Sequence, residues 1–209
     1  MGEKISLTNK IYGNLKHDII NLSFKNNSII TEKELAERYK VSKTPVREAL
    51  KKLTLEGFIE VLPRKGYFIT SISVEDLRDI FQIRMILEVG ASEIAIANAS
   101  LNDIEKLKEI ANTKVKTINS KSYIEYSEIN YQFHLLIARS TKNNILANMI
   151  KGLLNQLRRV LYKDLHNLDF ENMKNEHLKI VDAIEKKDIS LARRIMEKHL
   201  LDAKKRIFK

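Results

Sequence analysis

The stretch VSKTPVREAL, Val41 to Leu50, sets a proline at the start of an amphipathic helix whose outer side is cationic. Proline lacks the amide proton and presets φ near the helical value. The first turn of a helix tolerates it, because no intrahelical acceptor exists there for that proton. Ser42 or Thr44 can serve as the N-cap. Beyond it, Val46, Ala49, Leu50 and Leu53 follow i, i+3, i+4, i+7 and form a buried stripe, while Thr44, Arg47 and Lys51 project from the opposite side. The helix is expected to run to about Glu56, with Gly57 as its stop. A helix start with its dipole, a hydroxyl and outward basic side chains can contact phosphates and present Arg47 to a guanine edge in the major groove. The competing reading is a solvated helix with ordinary surface cations, and the neighbouring segments decide between the two.

Upstream, Ile11, Leu15, Ile19 and Leu22 recur at helical spacing and predict a first helix from Leu7 to about Phe24, broken by Lys25 to Ser28. A capping box, Thr31 with Glu34, opens a short second helix through Leu35, Ala36 and Tyr39, and a turn at Lys40 to Ser42 follows. Downstream, FIEVLPRKGYFIT (Phe58 to Thr70) alternates loosely around Pro63 to Gly66, which reads as a hairpin tip. Gly66 permits a close approach or a positive φ there, or is a plain hairpin glycine. Three helices and a two-stranded hairpin make a winged helix-turn-helix. The candidate DNA contacts are Arg38, Ser42, Lys43, Thr44, Arg47, Lys51, Arg64, Lys65 and Gly66.

Charge placement agrees. The 209-residue chain carries a net charge of +10, and residues 38 to 65 hold eight cations against three acids. The rest of the first 73 residues is balanced, so that segment's positive charge is focused as a phosphate-binding surface requires. Hydrophobic content of 44% is ample for a buried core, and with six glycines and two prolines the long 3.6-period patterns make the class mainly α. Absence of cysteine excludes disulfides, thiolate metal sites and cysteine nucleophiles. No run reaches the roughly 18 apolar residues of a membrane span, and the N-terminus lacks the apolar centre of a secretory signal, which points to the cytoplasm.

The domain boundary is expected near Ser71 to Ser73, giving a DNA-binding unit at 1–73 and an all-helical unit at 74–209. Six helices are predicted in the latter: Val74 to Ala99, Leu101 to Asn119, Ser122 to Ser140, Asn143 to Leu168, Phe170 to Lys187 and Ile189 to Ile207. Histidine is sparse there. Asn130 and His134 stand four apart on one helix and face the same way, while His177 and His199 fall on the last two helices. Each alone is more often a core or surface residue, but imidazoles from facing helices can converge on a transition metal, with the asparagine oxygen as a weaker fourth ligand. His17 and His166 have no comparable partners and read as surface residues.

At Leu35-Ala36, Val41-Ser42, Thr44 to Leu50, Leu53, Gly57 and Arg64 to Gly66 the sequence resembles the GntR family of bacterial transcription regulators. Lys43 departs from that family's usual arginine, and Lys40 stands where its turn has glycine. The second half resembles the FCD effector-binding domain of the FadR subfamily, through Arg84-x-x-Leu87-Glu88, Asn130-x-x-x-His134, Glu176-His177 and His199-Leu200; six helices look like the shorter, VanR-type branch. This resemblance implies a divalent transition metal, zinc first and nickel or manganese as alternatives, held by Asn130, His134, His177 and His199 beside a cavity for a small organic acid. Relatives often have aspartate where Asn130 stands. Arg84 is then either an anchor for that acid or the partner of Glu88 in a salt bridge. The expected function is a ligand-responsive regulator, a repressor that binds a palindromic double-stranded operator as a homodimer, and not an enzyme. The alternatives are a metal-dependent hydrolase using the three histidines and a nonspecific DNA-binding protein.

Overall fold

In the computed structural model, which describes residues 6–21, 23–115, 122–160 and 169–208, Ser6 caps the first helix, α1 (Leu7–Ile20), by accepting the Asn9 amide at 3.2 Å. The apolar spacing buries Ile11, Leu15, Ile19 and Ile20. α1 stops short of the expected Phe24, because the Ser23 amide folds back to the Asp18 carbonyl at 2.8 Å and closes the helix end. A two-residue strand follows, β1 (Ile29–Ile30), too short to show any alternation in the sequence. The Thr31/Glu34 capping box then opens α2 (Glu32–Tyr39) as expected. At its end Lys40 is left-handed, with φ +53°, and the Val41 amide closes on the Ala36 carbonyl at 3.0 Å. A lysine thus makes the turn that glycine makes without strain, at a cost of about 1 kcal/mol.

The opening stretch forms α3 (Lys43–Leu55). Pro45 is its third residue, inside the turn whose amides lack acceptors, and Ser42 occupies the N-cap position without making a side-chain cap bond. Val46, Ala49, Leu50 and Leu53 are fully buried against α1, each large apolar side chain contributing about 1.5–3 kcal/mol. Gly57, at φ +72°, ends the helix as Phe58 and Gly57 amides return to the Leu53 and Thr54 carbonyls. Strands β2 (Ile59–Leu62) and β3 (Gly66–Ile69) form the wing, and β1 adds to β3, giving an antiparallel sheet in the order β1-β3-β2. Both needs foreseen for Gly66 are real: its φ is +126°, and a Cβ would lie 2.5 Å from the Ile30 carbonyl oxygen.

The chain divides into two compact units, one up to Ile72 and the other from Ser73. The second contains six helices among the described residues: α4 (Val74–Asn98), α5 (Leu101–Asn112), α6 (Ser122–Ser140), α7 (Asn144–Arg158), α8 (Phe170–Glu185) and α9 (Ile189–Ile207). Side-chain caps at Ser73, Ser100, Asn143, Asp169 and Asp188 start five of them. α5 ends at Asn112, before the expected Asn119, because β-branched Thr113 turns extended at ψ 124°. Residues 116–119 of that expectation, and 161–168 of the expected α7, lie outside the described residues, as does His166. α4 packs against α6, α7 and α9. The core between α5, α6, α8 and α9 is built on Leu107, Phe133, Ile137, Ile180, Met196 and Leu200. Among the described residues, no helix is long and apolar enough to cross a membrane.

Candidate nucleic-acid interface and metal centre

The unit up to Ile72 presents the outward side of α3 much as its spacing requires. Ser42, Lys43, Thr44, Arg47 and Lys51 are exposed, and so are Arg64 and Lys65 at the wing tip, where Arg64 makes the turn at φ +63°. Several of these cations are engaged within the protein. Lys51 pairs with Glu48 at 2.9 Å on its own helix. Arg38 donates to Asp18 at 2.9 Å and lies over the Phe24 ring at 4.5 Å, so it ties α2 to α1 as well as facing outward. Arg47 donates from Nε and Nη2 to the two carboxylate oxygens of Glu32, each at 2.8 Å, and Tyr67 of β3 donates to the same carboxylate at 3.3 Å. Arg47 holds the Glu32 carboxyl below its usual range despite partial burial. A shallow groove between α2 and α3 is lined by Lys33, Lys40, Ser42 and Lys43. Lys33 and Glu32 are not among the residues singled out in the sequence, and Lys40 reads there only as a turn residue. Nothing separates those lysines from surface lysines by spacing, and Glu32 meets Arg47 only through the helix-turn-helix geometry.

In the second unit His134 of α6, His177 of α8 and His199 of α9 are all buried, and one ring nitrogen from each falls within 4.8 Å of the others. His134 Nδ1 lies 2.6 Å from Glu88 and His199 Nδ1 lies 2.7 Å from Glu176. An ionised carboxylate only accepts, so each ring carries its proton on Nδ1 when neutral and leaves Nε2 bare. Those two Nε2 atoms face each other at 3.1 Å, and His177 Nε2 is buried with no partner. Lone pairs meeting at that distance repel unless a cation sits between them. The separation also matches nitrogens sharing one metal at about 2.0–2.1 Å each. Burial holds His177 well below the usual imidazole range and His199 down to about 4, although Glu176 opposes the latter shift. Neutral rings are the form that ligates metal. The donor set therefore fits a divalent transition metal.

Carboxylates orient these rings from behind. Burial works against the Glu88 charge, but Arg84 and His134 overcome it and hold the group well below the carboxylate range. Glu176 is likewise held to about 2 by His199 and by Arg206, which donates to both its oxygens, although burial pulls the other way. Adjacent helical residues point about 100° apart, so Glu176 turns from its neighbour His177, and it reaches His199 instead. The carboxylate thus orients a ring and balances an arginine instead of standing free as a general base. Asn130 stands one turn before His134 and accepts from Tyr126 at 3.4 Å. It lines a small cavity of about 30 Å³ together with His199, Arg84, Tyr126 and Arg206. The salt-bridge reading of Arg84 holds, since its Nε donates to Glu88 at 2.5 Å; the residue also lines that cavity. A second cavity, about 430 Å³, is lined by His177, Tyr126, Lys114 and Lys174 among others.

A winged helix-turn-helix followed by a helical sensor with a buried imidazole cluster defines a ligand-responsive transcription regulator. The chain belongs to the GntR family: the model for bacterial regulatory proteins of the gntR family matches residues 7–69, and the FCD domain model matches residues 79–202. It is 34% identical over 199 residues to the Uxu operon regulator of Haemophilus influenzae, covering 85% of this chain and 73% of that one. It is also 28% identical over 192 residues to the HTH-type transcriptional repressor RspR of Escherichia coli, covering 91% and 84%. Among solved structures, E. coli McbR/YncC superposes with a TM-score of 0.82 at 23% identity, covering 98% of each chain. These relatives are regulators rather than enzymes, and the hydrolase reading finds no support among them.

Proposed function

We propose that the protein is a cytoplasmic repressor that binds a palindromic operator as a homodimer and senses a small organic acid through a divalent metal. His134, His177 and His199 would hold the ion, zinc first, with the oxygen of Asn130, one turn before His134, as a fourth and weaker ligand. The metal supplies a local positive charge that attracts a carboxylate. Because Asn130 is neutral, that charge is left for the ligand to balance, and the Arg84 guanidinium at the cavity wall provides a second, cationic anchor for the acid. The observation that carries the sensing reading is the approach of His134 Nε2 and His199 Nε2 to 3.1 Å beside an unpartnered His177 Nε2.

On the DNA side, Ser42, Lys43, Thr44, Arg47 and Lys51 of the recognition helix, Arg38, and Arg64, Lys65 and Gly66 of the wing form the contact surface, to which Lys33 and Lys40 add phosphate contacts. A two-fold dimer presents this surface twice, hence the palindrome. Pairing through the helical unit is supported by an exposed apolar row on α4, Ile83, Ile86 and Ile94, beside exposed Ile145 and Met149 on the adjacent α7. Repression is supported by the name of the RspR relative. Calorimetry with a panel of short carboxylic acids, with and without zinc, tests the sensing. Acid binding is expected only with metal present, and equal affinity in both conditions refutes the metal's part.

A further inference from the structure

The bond pattern at Arg47 is more specific than an ion pair. Its Nε and Nη2 both donate to Glu32, so the guanidinium is gripped along one edge. The other edge, between Nη1 and Nη2, is the fork that pairs with guanine O6 and N7. The Arg47 side chain remains 54% exposed while Glu32 is 21% exposed, so the gripping carboxylate lies deeper than the group it holds. Glu32 is itself fixed. It is the first residue of α2, where the helix dipole favours an anion, and the Tyr67 hydroxyl of β3 donates to the oxygen that takes Arg47 Nε. One carboxylate thus joins α2, α3 and the wing.

We infer that Glu32 is a positioning residue for base reading: it presets the Arg47 guanidinium so that its free edge meets one guanine of each half-site. This rests on the DNA-reading function proposed above. An unrestrained arginine loses rotamer freedom on docking and can swing to any nearby phosphate, whereas a gripped one has spent that freedom and presents a fixed plane. The carboxylate also repels phosphates close to it. Glu32 therefore raises affinity for the correct sequence without raising affinity for DNA in general.

The test uses the full chain, a duplex enriched by the wild type from a random pool, and a shuffled duplex of the same composition, titrated by fluorescence anisotropy at several salt concentrations. Glu32→Ala is expected to lose about tenfold on the enriched duplex, the size of one bidentate base contact, with no loss on the shuffled one. The dependence of affinity on salt should be unchanged, because no phosphate contact is removed. Glu32→Ala/Arg47→Ala should bind like Arg47→Ala alone, since the two residues act as one unit. Glu32→Gln, the same shape with one acceptor oxygen, should fall between wild type and Glu32→Ala, and it answers for any folding defect in the alanine variant. Tighter binding of both duplexes by Glu32→Ala would overturn the inference, because Glu32 would then only repel DNA. A tenfold loss that persists in the Arg47→Ala background would overturn it too. Failure of the wild type to enrich any sequence would instead strike at the DNA-reading function itself.

Discussion

Acidifying the metal-free protein should weaken its helical unit, chiefly through buried imidazoles. His199 is held by burial down to about 4 from an ordinary 6.5. Its folded value lies below its unfolded one, so the unfolded chain takes up the proton first. The stability it contributes is complete above the unfolded value and is lost as pH falls toward the folded one. Between about pH 7.5 and about pH 4.5 this amounts to roughly 2–3 kcal/mol for His199 alone. His177, lowered by burial in the same direction, adds to the loss. Glu176, held to about 2, surrenders most of its share only at still lower pH, so the window above belongs to the histidines. For a unit of this size the midpoint should drop by about 5–10 °C. Thermal unfolding of the full chain in chelator, followed by far-UV circular dichroism, measures it against His199→Gln, which lacks that titration. Wild type and His199→Gln curves running parallel across the window would refute the reasoning.

Glu176→Gln should lower zinc affinity about 10–100-fold, because the ring it orients loses a charged acceptor; competition with a chromophoric chelator reads this directly. Glu88→Ala leaves Arg84, 1% exposed, without its counter-charge and should cost about 3–5 kcal/mol in urea unfolding, with much of that recovered by adding Arg84→Met. Gly66→Ala should destabilise the winged unit by about 2 kcal/mol or more, since both its positive φ and the Ile30 carbonyl oppose a methyl group; urea unfolding measures the loss.

The elements that could be read from the sequence were those governed by local chemistry. Pro45 inside the first turn, the Thr31 capping box and the Gly57 stop each act through neighbouring residues, and α2 and α3 take the expected form around them. What escaped depended on the folded arrangement. β1 has two residues and exists only because β3 offers it an edge, and the ends of α1 and α5 turn on single backbone or β-branched residues that helical periodicity does not weigh.

The candidate sites divide along the same line, and the division follows from how side chains are oriented. The groups proposed to face a ligand, Arg47, His134 and His199, were visible as residue types at telling spacings. Each is held from behind by a carboxylate on another helix: Glu32 on α2 for Arg47, Glu88 on α4 for His134, and Glu176 on α8 for His199. Fifteen, forty-six and twenty-three residues separate the members of these pairs, so no local pattern links them. Each acid also has a second partner, Tyr67, Arg84 and Arg206 respectively, which helps to keep its charge in place. A carboxylate so anchored can fix the orientation of a cation or an imidazole and still remain when that group binds DNA or metal. The proposed reading of bases and the proposed holding of metal would therefore draw on one device, and removal of Glu32 or Glu176 should blunt selectivity or affinity before it unfolds the surface it supports, whereas removal of Glu88 should also destabilise the fold because Arg84 is buried beside it.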